Sequence, residues 1–371
     1  ARDYIRGDVI RPMAAFVYER AGRIEEDVQV ACSLMAPVLE EGRLSSYNAV
    51  EVALAFFMIC KAVCLEFMRQ HPAGSSIAQE KPEAILSAEF KKFVDRWFYV
   101  TTFSGKWASG AVAYLADLTK KLSAHVGDSV PATLDAYDKW IVSFGEELID
   151  TAKQDAIDNL PRSVDERGLV SQYANRLIAW QRIDQKRAGY RSLTFGERNS
   201  RARPKLQVDH VIAYAAWCQY IEQLFASADE AFVEKMLDMF SELTADEKSH
   251  LLLDVEKARE WAMWYAKAFI NRFGNCSILV NRYNAAKSQN NMLDFMDLVY
   301  GFSQSFTRDD WAYAMKLTQV FLSPFVLNDD KTVTPNYQLQ DYVDAIKARE
   351  ASMLADLRKY VIGEKGYSQL F

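Results

Sequence analysis

Val208-Asp209-His210-Val211-Ile212 and, far downstream, Gly274-Asn275-Cys276-Ser277-Ile278-Leu279-Val280-Asn281-Arg282-Tyr283-Asn284-Ala285-Ala286-Lys287 are the two halves of one split motif. An Asp-His pair ends a short apolar run at 206–211. Asn275 opens a second apolar run at 276–280. Asn284 follows nine residues later and Lys287 three after that. The spacing predicts two short strands, with a helix starting near residue 282. In a strand, neighbouring side chains leave opposite faces. Asp209 and His210 therefore approach a common site from different directions, and strand twist or a bulge has to bring them together.

These residue types suit phosphodiester hydrolysis, which needs an activated water, a cation at the scissile phosphate and a rigid frame for both. Asp209 offers a hard oxygen to Mg²⁺ or Mn²⁺. His210 carries the side chain that titrates unperturbed near neutrality, so it can accept a proton from water. Asn284, opening the predicted helix, gives a second oxygen for the metal. Asn275 is expected to hold the loop between the strands through side-chain hydrogen bonds. Lys287, one helical turn beyond Asn284, shares its face and is expected to meet a phosphate.

Asp-His followed by Asn-x8-Asn-x2-Lys is similar to the pattern of HNH endonucleases, the ββα-metal nucleases. The Gly274-Asn275 start, with Asn284 ten residues after the glycine, resembles more narrowly the nuclease half of GmrSD-type restriction proteins and their SspE-like relatives in phage defence. The resemblance implies Asp209 and Asn284 as metal ligands, His210 as general base and Asn275 as the structural middle Asn. It implies DNA as partner, Mg²⁺ or Mn²⁺ as cofactor, and a nucleotide-driven sensing domain absent from this chain. It covers 209–287 and, through Ile346-Lys347-Ala348-Arg349 with Leu354, Leu357 and Val361, a helical tail; residues 1–180 lie outside it. No zinc-knuckle cysteines accompany the motif, so no structural zinc is expected. Arg349 is read as a surface salt-bridge partner.

His210 and Asn275 stand 65 positions apart. That distance requires a helical insertion at about 213–272. Ser227-Ala228-Asp229 reads as a cap for a helix over 230–243. Thr244-Ala245-Asp246-Glu247 reads as a capping box for one helix running to about Phe273. Just before Asp209, residues 182–205 hold Arg182, Lys186, Arg187, Arg191, Arg198, Arg201, Arg203 and Lys205 against Asp184 and Glu197. Arg198, Arg201, Arg203 and Lys205 are the candidate phosphate-gripping arm, since Lys and Arg contacts supply much of DNA affinity.

Composition sets the frame. Half of the 371 residues are hydrophobic and 13% aromatic, which excludes general disorder. The 15 Gly and 9 Pro are few, which favours long regular elements. A net charge of −6 means that any DNA contact comes from a local basic patch. The five cysteines sit in apolar runs and read as reduced core residues of a cytoplasmic protein. The most apolar run, 52–60, is too short to cross a bilayer, so no membrane partner is expected. The first residue is Ala, which suits a processed chain or a fragment.

Helical periodicity recurs over 8–40, 48–70, 84–126 with a break near Gly105, 131–160, and 170–180. Residues 291–305 and 307–322 read as amphipathic helices, Asn328-Asp329-Asp330-Lys331 as a turn before a polar link, and 338–362 as the last helix. The expected fold is mainly α: a helical scaffold or regulatory domain over 1–180, then a nuclease domain over 181–371 with a small embedded ββα-metal element. Two other readings stay open. One is a non-catalytic helical binding module with a decayed HNH core, suggested by the long insertion and by Ala213 where the family carries Pro. The other is an RNA-directed nuclease with the same site.

Overall fold

The structure is a computed structural model, and it describes residues 88–106, 133–160, 173–183, 206–280, 291–294, 307–330 and 332–364, with a few single positions between them, Ala285 and Lys287 included. The helices expected over 8–40 and 48–70, the loop at 71–83, most of the basic segment and Asn284 lie outside the described residues. What is described is mainly helical, with two small two-stranded sheets. No described helix is long and apolar enough to cross a membrane. The chain divides into two compact units, one of Ala1–Arg162 with Leu357–Phe371, the other of Ser163–Asp356.

In the first unit, α1 (Ala88–Phe103) packs on α2 (Leu134–Asn159). Trp97, Phe98, Tyr99 and Val100 of α1 are buried. Ala152 and Ala156 of α2 are buried as well, and such small side chains allow helices to approach closely. The chain leaves α1 through Gly105 at φ 77°, a left-handed conformation that glycine adopts without a Cβ clash. That is the break expected there. Thr133 caps α2 by accepting the Ala136 amide at 3.1 Å, so the helix begins just after Pro131.

The second unit holds the split motif. After α3 (Ala174–Arg182), β1 (Leu206–His210) pairs antiparallel with β2 (Cys276–Val280). The register sets Asp209 against Ser277 and His210 against Cys276. The connection between the strands is helical: α4 (Tyr214–Phe225), α5 (Glu230–Phe240), α6 (Ala245–Leu251) and α7 (Val255–Ala268), followed by short 3₁₀ turns to Asn275. Its caps fall where the sequence puts them. Asp229 accepts the Phe232 amide, and Thr244 and Glu247 form a reciprocal capping box. The single helix expected over 244–273 is instead two. Asp254 caps a fresh start by accepting the Lys257 amide, and Leu253 at the break is 81% exposed. Ala258, Ala262 and Ala266 form the buried stripe of α7, and Trp217 of α4 donates its indole N–H to the Ala266 carbonyl at 2.9 Å.

Past β2 come α8 (Arg308–Ala314) and α9 (Gln319–Leu322), where one helix over 307–322 was expected. The chain turns between them with Lys316 at φ 56°. The expected polar link is a hairpin, β3 (Phe325–Leu327) with β4 (Val333–Pro335). Trp217, Tyr220, Phe325 and Tyr342 pack ring against ring. This cluster ties the insertion and the hairpin to α10 (Leu339–Ile362). Inside this unit α10 also meets the corner that leads into β2, and that contact positions the site.

Candidate active site

The corner before β2 is built by Asn275. Its side chain is fully buried. The side-chain carbonyl accepts the Ile212 amide at 2.8 Å, and the side-chain amide donates to the carbonyls of Ile212 at 3.1 Å and Ile270 at 3.0 Å. The Asn275 main-chain carbonyl accepts the Val211 amide at 2.7 Å. One residue thereby joins the end of β1 to the end of the insertion and starts the ladder. These are loop-holding side-chain bonds of the kind expected from the sequence.

Gly274 is needed for close approach. A Cβ there would run into the Ile346 carbonyl oxygen and come within 2.9 Å of the Glu350 main-chain nitrogen, both on α10. Arg349, one turn from Ile346, is buried. Its guanidinium donates to the carbonyls of Gly274 at 2.6 Å, Cys276 at 3.1 Å and Met315 at 3.0 Å, and it lies over the rings of Trp180 and Phe321. The expected surface salt bridge is replaced by a clamp on the strand. Arg272 and Glu350 add a two-point ion pair at 3.0 and 2.7 Å beside it.

Asp209 is 6% exposed. Its Oδ2 lies 3.0 Å from the ammonium of Lys287, a buried ion pair. Burial pushes the carboxyl above the usual carboxylate range, and Lys287 pulls it part of the way back. Across the ladder Ser277, 2% exposed, holds a buried hydroxyl that makes no hydrogen bond.

Lys287 corrects a sequence expectation. A phosphate contact requires an exposed ammonium, yet the side chain has 0% exposure. The ammonium donates to the His210 carbonyl at 2.6 Å while facing Asp209. Spacing from Asn284 gives no depth, and the Lys287 side chain is buried.

His210 ends β1, half-buried. Its Nε2 lies 2.8 Å from the side-chain oxygen of Asn271, and its ring packs near Tyr214. With an oxygen facing it, Nε2 carries the proton and Nδ1 keeps the lone pair. Burial lowers the pKa below the ordinary histidine value. The Asn271 bond and the Asp209 charge oppose this, and Lys287 adds to it. The imidazole is therefore neutral at neutral pH. Asp209 and His210 leave opposite faces of β1. Lys287, bound to the side chain of one and the main chain of the other, spans the pair.

Asn284, Arg198, Arg201, Arg203 and Lys205 lie outside the described residues. Sequence reasoning missed Asn271. The available signal for Asn271 was a lone polar side chain in Phe269-Ile270-Asn271 just before the Gly-Asn corner.

Among the described residues no three His, Cys, Asp or Glu side chains cluster as a metal centre. A hard cation such as Mg²⁺ needs only one or two protein carboxylates, because it keeps waters and takes phosphate oxygens. Asp209 is the carboxylate here that could serve, and its Oδ2 is the oxygen that Lys287 pairs with. No protein-family model, curated protein or solved structure matches the chain.

Proposed function

We propose that the chain is an HNH-type endonuclease that hydrolyses DNA with Mg²⁺ or Mn²⁺. One observation carries the reading: strands far apart in sequence pair so that Asp209, His210 and the Asn275 corner adjoin. A neutral imidazole, its Nε2 proton held by Asn271, ends that ladder.

In this reading Nδ1 of His210 takes a proton from water as the water oxygen bonds to phosphorus. The bond from phosphorus to the 3′-oxygen breaks, and that oxygen leaves with its electron pair. A bound divalent cation would supply charge stabilisation for the phosphate and the departing oxygen. Asp209, and Asn284 by the family resemblance, would hold it. Asn271 orients the imidazole, Asn275 fixes the strand end, and Lys287 holds the Asp-His corner from beneath. Arg198, Arg201, Arg203 and Lys205 would grip the backbone next to the scissile bond. The setting that goes with this is cytoplasmic defence against foreign or modified DNA, with a nucleotide-driven sensing domain supplied by another chain or segment.

The test is supercoiled plasmid with the purified chain and Mg²⁺ or Mn²⁺, beside His210→Ala. Relaxed or linear product from the native chain, reduced on the order of a hundredfold or more in the variant, is expected from loss of a general base. Equal cleavage by both would reject His210 as the base. A second, non-catalytic reading draws on Lys287, whose ammonium already balances Asp209. Failure of Mn²⁺ to bind would favour it.

A further inference from the structure

Tyr214 stands beside His210 with no task in the scheme above. It follows the N-cap Ala213 and opens α4. Its ring centroid lies 5.7 Å from that of the imidazole, with the two planes 44° apart. The side chain is 47% exposed, while Ala213, Ala216 and Trp217 around it in the chain are buried. Exposure alone is ordinary for a tyrosine. An open aromatic ring set against the proposed general base is the feature to be explained.

Its hydroxyl is already engaged. It hydrogen-bonds to Cys218, one turn along α4, and that bond first, then burial, raises the phenol above its ordinary pKa. The phenol stays protonated near neutrality and cannot compete with His210 for a proton. What Tyr214 offers the site is therefore its ring. Two carboxylates near it are neutralised, Asp209 by Lys287 at 3.0 Å and Glu222, two turns along the helix, by Lys267 at 2.6 Å. Neither presents an uncompensated charge that would repel a nucleic acid strand.

An exposed ring of this kind suits stacking on a nucleobase, which tolerates any sequence because every base has a π-face. Within a duplex those faces are covered by neighbouring bases. A side chain outside the duplex can stack only on a base that is unpaired or extruded.

We propose that Tyr214 is a stacking platform for an unpaired base next to the phosphate that His210 serves, so that the site takes single-stranded or locally opened DNA. This rests on the nuclease reading above and names the form of its substrate. The bond to Cys218 holds the ring beside the imidazole, and the stacked base sets the adjoining phosphate against His210.

The experiment is fluorescence anisotropy of the full chain with a fully paired DNA and with the same DNA carrying a short unpaired bubble, in EDTA so that nothing is cut. The native chain is compared with Tyr214→Phe, Tyr214→Leu and Tyr214→Ala, and thermal melts are recorded alongside. Tyr214→Leu and Tyr214→Ala are expected to weaken bubble binding on the order of tenfold, within the range of base–aromatic stacking, and to leave duplex binding native. Tyr214→Phe keeps the ring and retains native affinity for both. Leucine still covers the imidazole but has no π-face, so a tyrosine that merely shields His210 would tolerate it. 2-Aminopurine in the bubble gives a second readout: its fluorescence is quenched by the native chain and Tyr214→Phe, and not by Tyr214→Leu. Native bubble affinity in Tyr214→Leu, or equal losses on bubble and duplex, overturns the platform. Plasmid cleavage that is lost in His210→Ala then leaves the nuclease reading standing. No binding of either DNA by the native chain overturns both.

Discussion

Asn275 commits its whole side chain to main-chain partners, and each partner is itself buried. In Asn275→Ala the Ile212 amide and the Ile212 and Ile270 carbonyls lose their partner together. A buried polar group left unsatisfied costs about 1–3 kcal/mol, and partial relaxation recovers some of it. The variant is expected to lose about 3 kcal/mol, a large share of the roughly 5–15 kcal/mol that holds a folded protein together. Urea denaturation of the two chains measures it, and a difference below about 1 kcal/mol would show that the corner holds without this residue. Asn275 was legible in the sequence because an amide can donate and accept at once, and it does both at the corner. Lys287 was misread because helical spacing cannot distinguish an outward face from one pressed against a carboxylate. Asn271 gave almost no signal, since its partner His210 lies 61 positions away and only the closed corner brings them together.

Two sequence features that look separate, the Gly-Asn start of β2 and the Ile346–Arg349 segment of the last helix, form one device. The glycine lets α10 lie directly on the corner, and Arg349 then reaches the carbonyls on both sides of Asn275. Gly274→Ala puts a methyl group against helix backbone, which cannot rotate aside as a side chain can. Overpacking of that kind costs about 1–3 kcal/mol or more. A lowered melting temperature is expected, with faster proteolysis of α10 near Ile346. An unchanged melt and digestion pattern would mean that the helix is not held by this contact. Helix caps at Asp229 and Thr244 were readable because capping is local, one side chain and one amide a turn apart. The split at Asp254 and the β3–β4 hairpin were not. Apolar periodicity continues across the first, and the three-residue strands of the second draw their stability from packing on Tyr220 and Tyr342.

Across the molecule, net charge is −6, so the long-range field does not draw in DNA. If the proposed nuclease reading holds, affinity has to be local, and with Lys287 paired inside the site the candidate cations are the ones preceding β1. Each phosphate neutralised by a Lys or Arg contributes about 0.9 to the slope of log affinity against log salt on duplex DNA. Changing Arg198, Arg201, Arg203 and Lys205 together to Gln is expected to lower that slope by two to four of these increments, about 2–4. Plasmid binding weakens by a similar factor for every sequence, because phosphate contacts carry no base information. Lys287→Ala is the converse control: it disturbs the Asp209 corner and leaves the salt slope unchanged. Filter binding or anisotropy across a salt series measures both. A native slope in the fourfold variant would move the DNA contact elsewhere on the chain. A reduced slope in Lys287→Ala would return that lysine to the phosphate, against its buried ion pair with Asp209.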